Sequence, residues 1–147
     1  MLVKEIFENI IFPDLKKYVE ETSIYKPKLI KNIPQKSKVF PIATVILLPF
    51  ENRYNNLSYG ELTYDFGIDI NCYAQDITEN NEKVSKKTVC NEVASKVVEF
   101  FEKNYHVRIK VELDIKNIDS NIHRDNVRIT GKLDTKYGLD KLVIYPN

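Results

Sequence analysis

The chain has no tryptophan, one methionine, two cysteines and four glycines, and each scarcity narrows the chemistry available. The glycines (Gly60, Gly67, Gly131 and Gly138) are scattered. A phosphate-cradling loop needs clustered glycines so that backbone N–H groups can converge, so a Walker loop and a dinucleotide fingerprint are excluded. The cysteines, Cys72 and Cys90, form no Cys-x-x-Cys pair, and no His-Glu-x-x-His run occurs. Both fall on apolar faces and read as core filler in a reducing, cytoplasmic setting. Excess charge is lacking too: 22 Lys and Arg balance 21 Asp and Glu, a net +1. No global field steers the chain to nucleic acid or membrane. No apolar run approaches the ~18 residues of a spanning helix, and the first residues lack the apolar stretch of a secretory signal.

What remains is an ordinary globular composition. At 147 residues and 43% hydrophobic, the chain is expected to be one domain, residues 1–147. A chain of this size buries about 70% of its unfolded surface without needing metals or disulfides.

Leu2, Val3, Ile6, Phe7, Ile10 and Ile11 recur at helical spacing over 2–12, and Pro13 is expected to end or bend that helix. Asp14 is a cap candidate for a second piece to Glu21. Residues 22–38 carry Lys26, Lys28, Lys31, Lys36 and Lys38 and no acid, and read as a basic, partly extended arm. Val39–Leu48 reads as a buried strand, Pro49–Gly60 as a long hairpin loop, and Asp76–Lys83 as a polar loop.

The clearest strand signal spans 61–74. Leu62, Tyr64, Phe66, Ile68, Ile70 and Cys72 alternate with Thr63, Asp65, Asp69 and Asn71, so one face meets the core. Ser85 is expected to cap a helix reaching Lys103, with Val89, Cys90, Val93, Ala94, Val97, Phe100 and Phe101 as its apolar stripe. A second alternation turns Val107, Ile109, Val111, Leu113 and Ile115 inward. A turn at 117–126 follows, then a strand through Val127, Ile129 and Leu133 with a bulge or close approach at Gly131, and a short strand at 141–145. The fold class is α+β: a mixed, mostly antiparallel sheet of four to five strands covered by one long helix, plus an N-terminal helix.

No credible catalytic set emerges, so the chain is read as a non-enzyme without cofactor or metal. His106 starts a strand and His123 falls in a turn; both read as ordinary surface or cap residues. Asp65 and Asp69 sit about 13–14 Å apart along one strand, too far to share a proton or an ion. Charge is segregated, however. Residues 22–50 hold lysines and no acid, whereas 51–82 hold seven acids against Arg53 alone. Such patches can pair within one molecule or between copies, and a head-to-tail contact closes a ring when the rotation fits.

The run Phe40-Pro41-Ile42-Ala43-Thr44-Val45-Ile46 is followed by an Asn-bearing loop (Asn52, Asn55, Asn56). Next come the strand Glu61–Ala74 and a helix ending Val97-Val98-Glu99-Phe100-Phe101. In this order, over residues 1–116, the chain resembles tail-terminator or tail-completion proteins of long-tailed bacteriophages. The resemblance implies an α+β domain forming a hexameric ring that caps the tail tube and docks to the head-side connector. Partners would be copies of itself, the tube protein and connector proteins, without nucleic-acid specificity or membrane contact. The location would be the virion neck, after assembly in the host cytoplasm. Arg53, Tyr54 and Tyr59, as loop residues suited to contacts, with Lys28 and Glu51 as an opposite-charge pair, are the expected interface positions. The alternatives are another neck component, such as a head–tail adaptor or stopper, and a non-catalytic bacterial α+β binding module.

Overall fold

A computed structural model describes residues 2–31, 39–49, 53–56, 61–115, 119–134 and 143–145. The fold is α+β. Its sheet follows a five-strand path, β1 (Lys28–Ile30), β2 (Ile42–Leu47), β4 (Glu61–Ala74), β8 (His123–Asp134) and β7 (Arg108–Ile115), in that spatial order. Two short strands extend it: β3 (Arg53–Asn56) pairs with β4, and β9 (Val143–Tyr145) with β8. Only β1–β2 is parallel; every other pair in the sheet is antiparallel.

The helices share one face of the sheet. Helix α1 (Leu2–Ile6) runs through a π-turn (Phe7–Ile11) into α2 (Phe12–Thr22), so the N-terminal helix is continuous past Pro13. Of the two expected outcomes at Pro13, an end to the helix does not occur. Proline lacks an N–H and crowds the carbonyl four residues back. Here the wider π-turn, in which the Phe12 N–H bonds the Phe7 carbonyl, lies directly before the ring. Helix α3 (Lys86–Asn104) packs beside α2 and over β4 and β8.

Parity in β4 explains the core. Phe66, Ile68, Ile70, Cys72 and Ala74 are buried beneath α3, whose Val89, Cys90, Val93, Ala94, Val97, Phe100 and Phe101 are also buried. Leu15 and Val19 of α2 complete this layer. Each Val, Leu, Ile or Phe among them, removed from water, contributes roughly 1.5–3 kcal/mol before conformational entropy is counted. Gly131 lies directly opposite Phe66 with no shift in register, so no bulge forms there.

The structure corrects the sequence reading at several boundaries. Residues 76–83, expected as loop, contain a hairpin of β5 (Ile77–Glu79) and β6 (Glu82–Val84). Asn80 and Asn81 at its tip both take positive φ, 52° and 65°, the pattern of a two-residue hairpin turn. The basic arm contributes β1, the expected hairpin loop contributes β3, and β8 begins at His123, inside the expected turn. Val111 and Leu113, expected inside, are 44% and 49% exposed. Helix α3 centres over β4 and β8, so the covered face runs out before the β7 edge.

Candidate functional site

Side chains on the outer face of β4 and β8 form a fixed polar lattice. Asp69 Oδ1 accepts from Asn126 Nδ2 at 2.9 Å and from Arg128 Nε at 3.3 Å. Asn71 Oδ1 accepts from Arg124 Nε and from Asn126 Nδ2, both at 3.0 Å. Register sets these meetings, because Asp69 lies opposite Arg128 and Asn71 opposite Asn126. Beside the lattice, towards β7, lies a groove of about 230 Å³ bordered by Asp69, Arg124, Arg128, Lys110 and Glu112. Its mixed charge favours a polar contact surface over a phosphate site.

A second group stands at the other face, where the first turns of α3 approach β8. Ser85 Oγ accepts the Thr88 N–H at 3.2 Å and Asp76 Oδ1 accepts the Lys86 N–H at 2.8 Å, so two orphan donors of the helix start are satisfied. This fixes Cys90 one turn on. Its thiol donates to the Cys72 carbonyl at 3.2 Å. From β8, His123 Nε2 lies 3.0 Å from Asp125 Oδ1 and 2.9 Å from Asp114 Oδ1. Asp114 reaches inward from a register irregularity in β7, where its φ is 59°. Its N–H also donates to Asp125 Oδ1 at 2.9 Å, and its carboxylate pairs with Lys87 at 3.4 Å. Asp125 is fully buried, and its Oδ2 has no hydrogen-bond partner.

Cysteine, histidine and aspartate side by side suggest a nucleophile and its base, but the electrostatics oppose it. Burial, then the neighbouring Cys72 and Asp125 charges, pushes the Cys90 thiol far above its ordinary range. Cys72 is pushed up likewise, by burial and then Asp125. The reactive species is the thiolate, and a thiol held this way is inert towards a carbonyl.

The expected interface residues are placed as follows. Lys28 is exposed on β1. Arg53 and Tyr54 lie on β3, paired with Tyr64 and Thr63. Glu51 and Tyr59 lie outside the described residues. Register puts β2 and β3 on the same side of β4, away from β8. Lys28, Arg53 and Tyr54 therefore occupy one flank of the sheet and β7 the other. Among the described residues of 51–82, Asp69 pairs with Arg128 and Asp76 with Lys83, neither of them in the basic segment. Lys31 instead sits over the Phe12 ring at 5.7 Å. His106 is exposed, as expected for a surface residue. His123 is not in a turn; its side chain is only 12% exposed.

The spacing of Cys90, His123 and Asp125 along the chain matches no motif, and the group was missed for that reason. One signal was available: Asp125 shares strand parity with Val127 and Ile129, which places a carboxylate on the core side. No helix is long and apolar enough to cross a membrane among the described residues. The sequence matches no protein-family model and no curated protein.

Proposed function

We propose that the chain is a structural assembly protein of the tail-terminator kind, acting as a ring that caps a tail tube and presents a new face to the head-side connector. The observation that carries the reading is the asymmetry of the sheet. One face is sealed by helices, while the other holds a polar lattice whose side chains are already ordered by one another. A surface ordered before contact loses little conformational entropy on binding.

The two flanks differ in character, which suits a head-to-tail contact. The β7 flank offers the exposed apolar Val111 and Leu113. The opposite flank offers Lys28 on β1, with Arg53 and Tyr54 on β3, which pairs with β4. In this reading the β7 flank of one copy meets the β1–β3 flank of the next, with Lys28 at that contact. The lattice around Asp69 and Asn126 faces the tube or the connector.

Immunogold labelling of tails produced from the same genome tests the reading. Label confined to the head-proximal end of the tube is expected; label elsewhere on the particle, or none, overturns it. The Val111→Lys, Leu113→Lys double variant is expected to keep its circular dichroism spectrum and lose ring formation. Lys28→Glu is expected to weaken assembly. Full assembly of this charge reversal would remove Lys28 from the contact.

A further inference from the structure

We propose that Cys90, His123 and Asp125, completed by Asp114, form a structural site for a divalent transition-metal ion, with Zn²⁺ the fitting species. One ligand atom from each of Cys90, His123 and Asp125 lies within 4.8 Å of the others. The Asp114 carboxylate stands 2.9 Å from the same imidazole. Sulfur, nitrogen and oxygen donors, four in number, are the mix a tetrahedral zinc site takes.

The second observation is the unmet bonding inside the group. Asp125 is completely buried, yet Oδ2 has no hydrogen-bond partner, and the nearby Cys90 thiol is aimed at backbone carbonyls, Cys72 at 3.2 Å and His123 at 3.8 Å. Leaving a buried carboxylate oxygen unpaired is costly. In addition, His123 Nε2 faces carboxylate oxygens of two different aspartates at once, at 2.9 and 3.0 Å. One N–H cannot direct its hydrogen at both. The group thus has more acceptors than protons to share among them, and a cation among the donors corrects that excess.

The fold supports the ligands from three elements. Cys90 is fixed by the capped start of α3, His123 and Asp125 by β8, and Asp114 by the positive-φ position that turns it inward from β7. The Asp114 N–H to Asp125 bond and the Lys87 ion pair orient two of the carboxylates, as outer contacts do in metal sites. On binding, the Cys90 S–H bond breaks, its proton passes to solvent and a sulfur–metal bond forms; no electron is transferred. Asp114 and His123 are the partly exposed members and mark the way in from solvent. With all four positions filled by protein, the ion would pin the β7–β8 edge to α3 and leave no open position for a substrate.

The test uses the full chain, stripped with a chelator and titrated with Co²⁺ and then Zn²⁺. Expected are one equivalent bound, tetrahedral visible bands, and a near-ultraviolet thiolate-to-cobalt band that Zn²⁺ removes. Cys90→Ala should abolish the thiolate band, and Cys72→Ala should retain it. Asp114→Asn, at a half-exposed position whose positive φ Asn also tolerates, should weaken Zn²⁺ binding by about 10-fold or more. Zn²⁺ should raise the melting temperature of the wild type and not of Cys90→Ala. Absence of a thiolate band at stoichiometric Co²⁺, or the same band in Cys90→Ala, overturns the proposal. The outcome is independent of whether the protein caps a tail.

Discussion

Asn126 is the hub of the open face, and replacing it with alanine gives a sharp test of how that face is held. Its single Nδ2 group, with two hydrogens, lies within hydrogen-bond distance of Asp69 Oδ1, Asn71 Oδ1 and the Ile70 carbonyl, at 2.9, 3.0 and 3.3 Å. A bond to a charged acceptor contributes about 1.5–3 kcal/mol, a neutral one about 0.5–1.5. Asp69 is 17% exposed in its side chain, so water replaces part of the loss, and Arg128 keeps one contact to it. The expected cost of Asn126→Ala is about 2 kcal/mol. That lowers the melting temperature by roughly 4–8 °C. In urea the midpoint should fall with an unchanged slope, since the core is untouched. Combined with Asp69→Ala, the two changes should be less than additive by about 1 kcal/mol, because they share a bond. A cost below about 0.5 kcal/mol, or full additivity, would show that the lattice is a set of independent solvated side chains and not a coupled unit.

Tyr105 contributes to the alkaline limit. Burial, and then the Asp14 charge, pushes its hydroxyl up from 10.0 to about 12. The folded state therefore keeps a proton that the unfolded chain has lost, so this contribution is complete below pH 10 and disappears as pH rises through about 12. After allowing for solvent at the partly buried ring, it amounts to about 1–2 kcal/mol, and Tyr105→Phe should flatten that part of a stability-against-pH profile. Ser85→Ala should cost about 1 kcal/mol through the lost cap on the Thr88 N–H. Chemical denaturation measures it, and a change near zero would mean that Asp76, bonded to the Lys86 N–H, suffices to start α3.

The parts of the fold legible in the sequence were those where period and burial agree. The alternation from Phe66 to Ala74 and the stripe from Val89 to Phe101 each meet a single core, so pattern and structure coincide. Short, exposed elements were not legible. The β5–β6 hairpin is polar at most positions, and its signal was only the Asn80-Asn81 pair, whose side chains tolerate positive φ. The exposure of Val111 and Leu113 depends on how far α3 reaches across the sheet, which no local pattern encodes. The group around Asp125 joins α3 to a strand 33 residues further on and exists only through register. Its trace in the sequence is a charge at a core-facing position. The flank holding Lys28, Arg53 and Tyr54 likewise follows from strand order, since β1 and β3 are separated by β2 in the chain.

The π-turn at Phe7–Ile11 inserts one extra residue into what is otherwise a regular helical cylinder. Across it, Val3, Ile6 and Phe7 and then Ile11, Phe12, Leu15 and Val19 are buried in the same core. Each residue in an α-helix advances about 100° around the axis. Excising one residue from the wide turn would therefore restore textureless regularity downstream while swinging Val3 and Ile6 about a quarter-turn or more away from their seats. The leading segment thus behaves like a key cut for one rotational setting: lengthening or shortening its shank by a single residue leaves the teeth intact and the lock unturned.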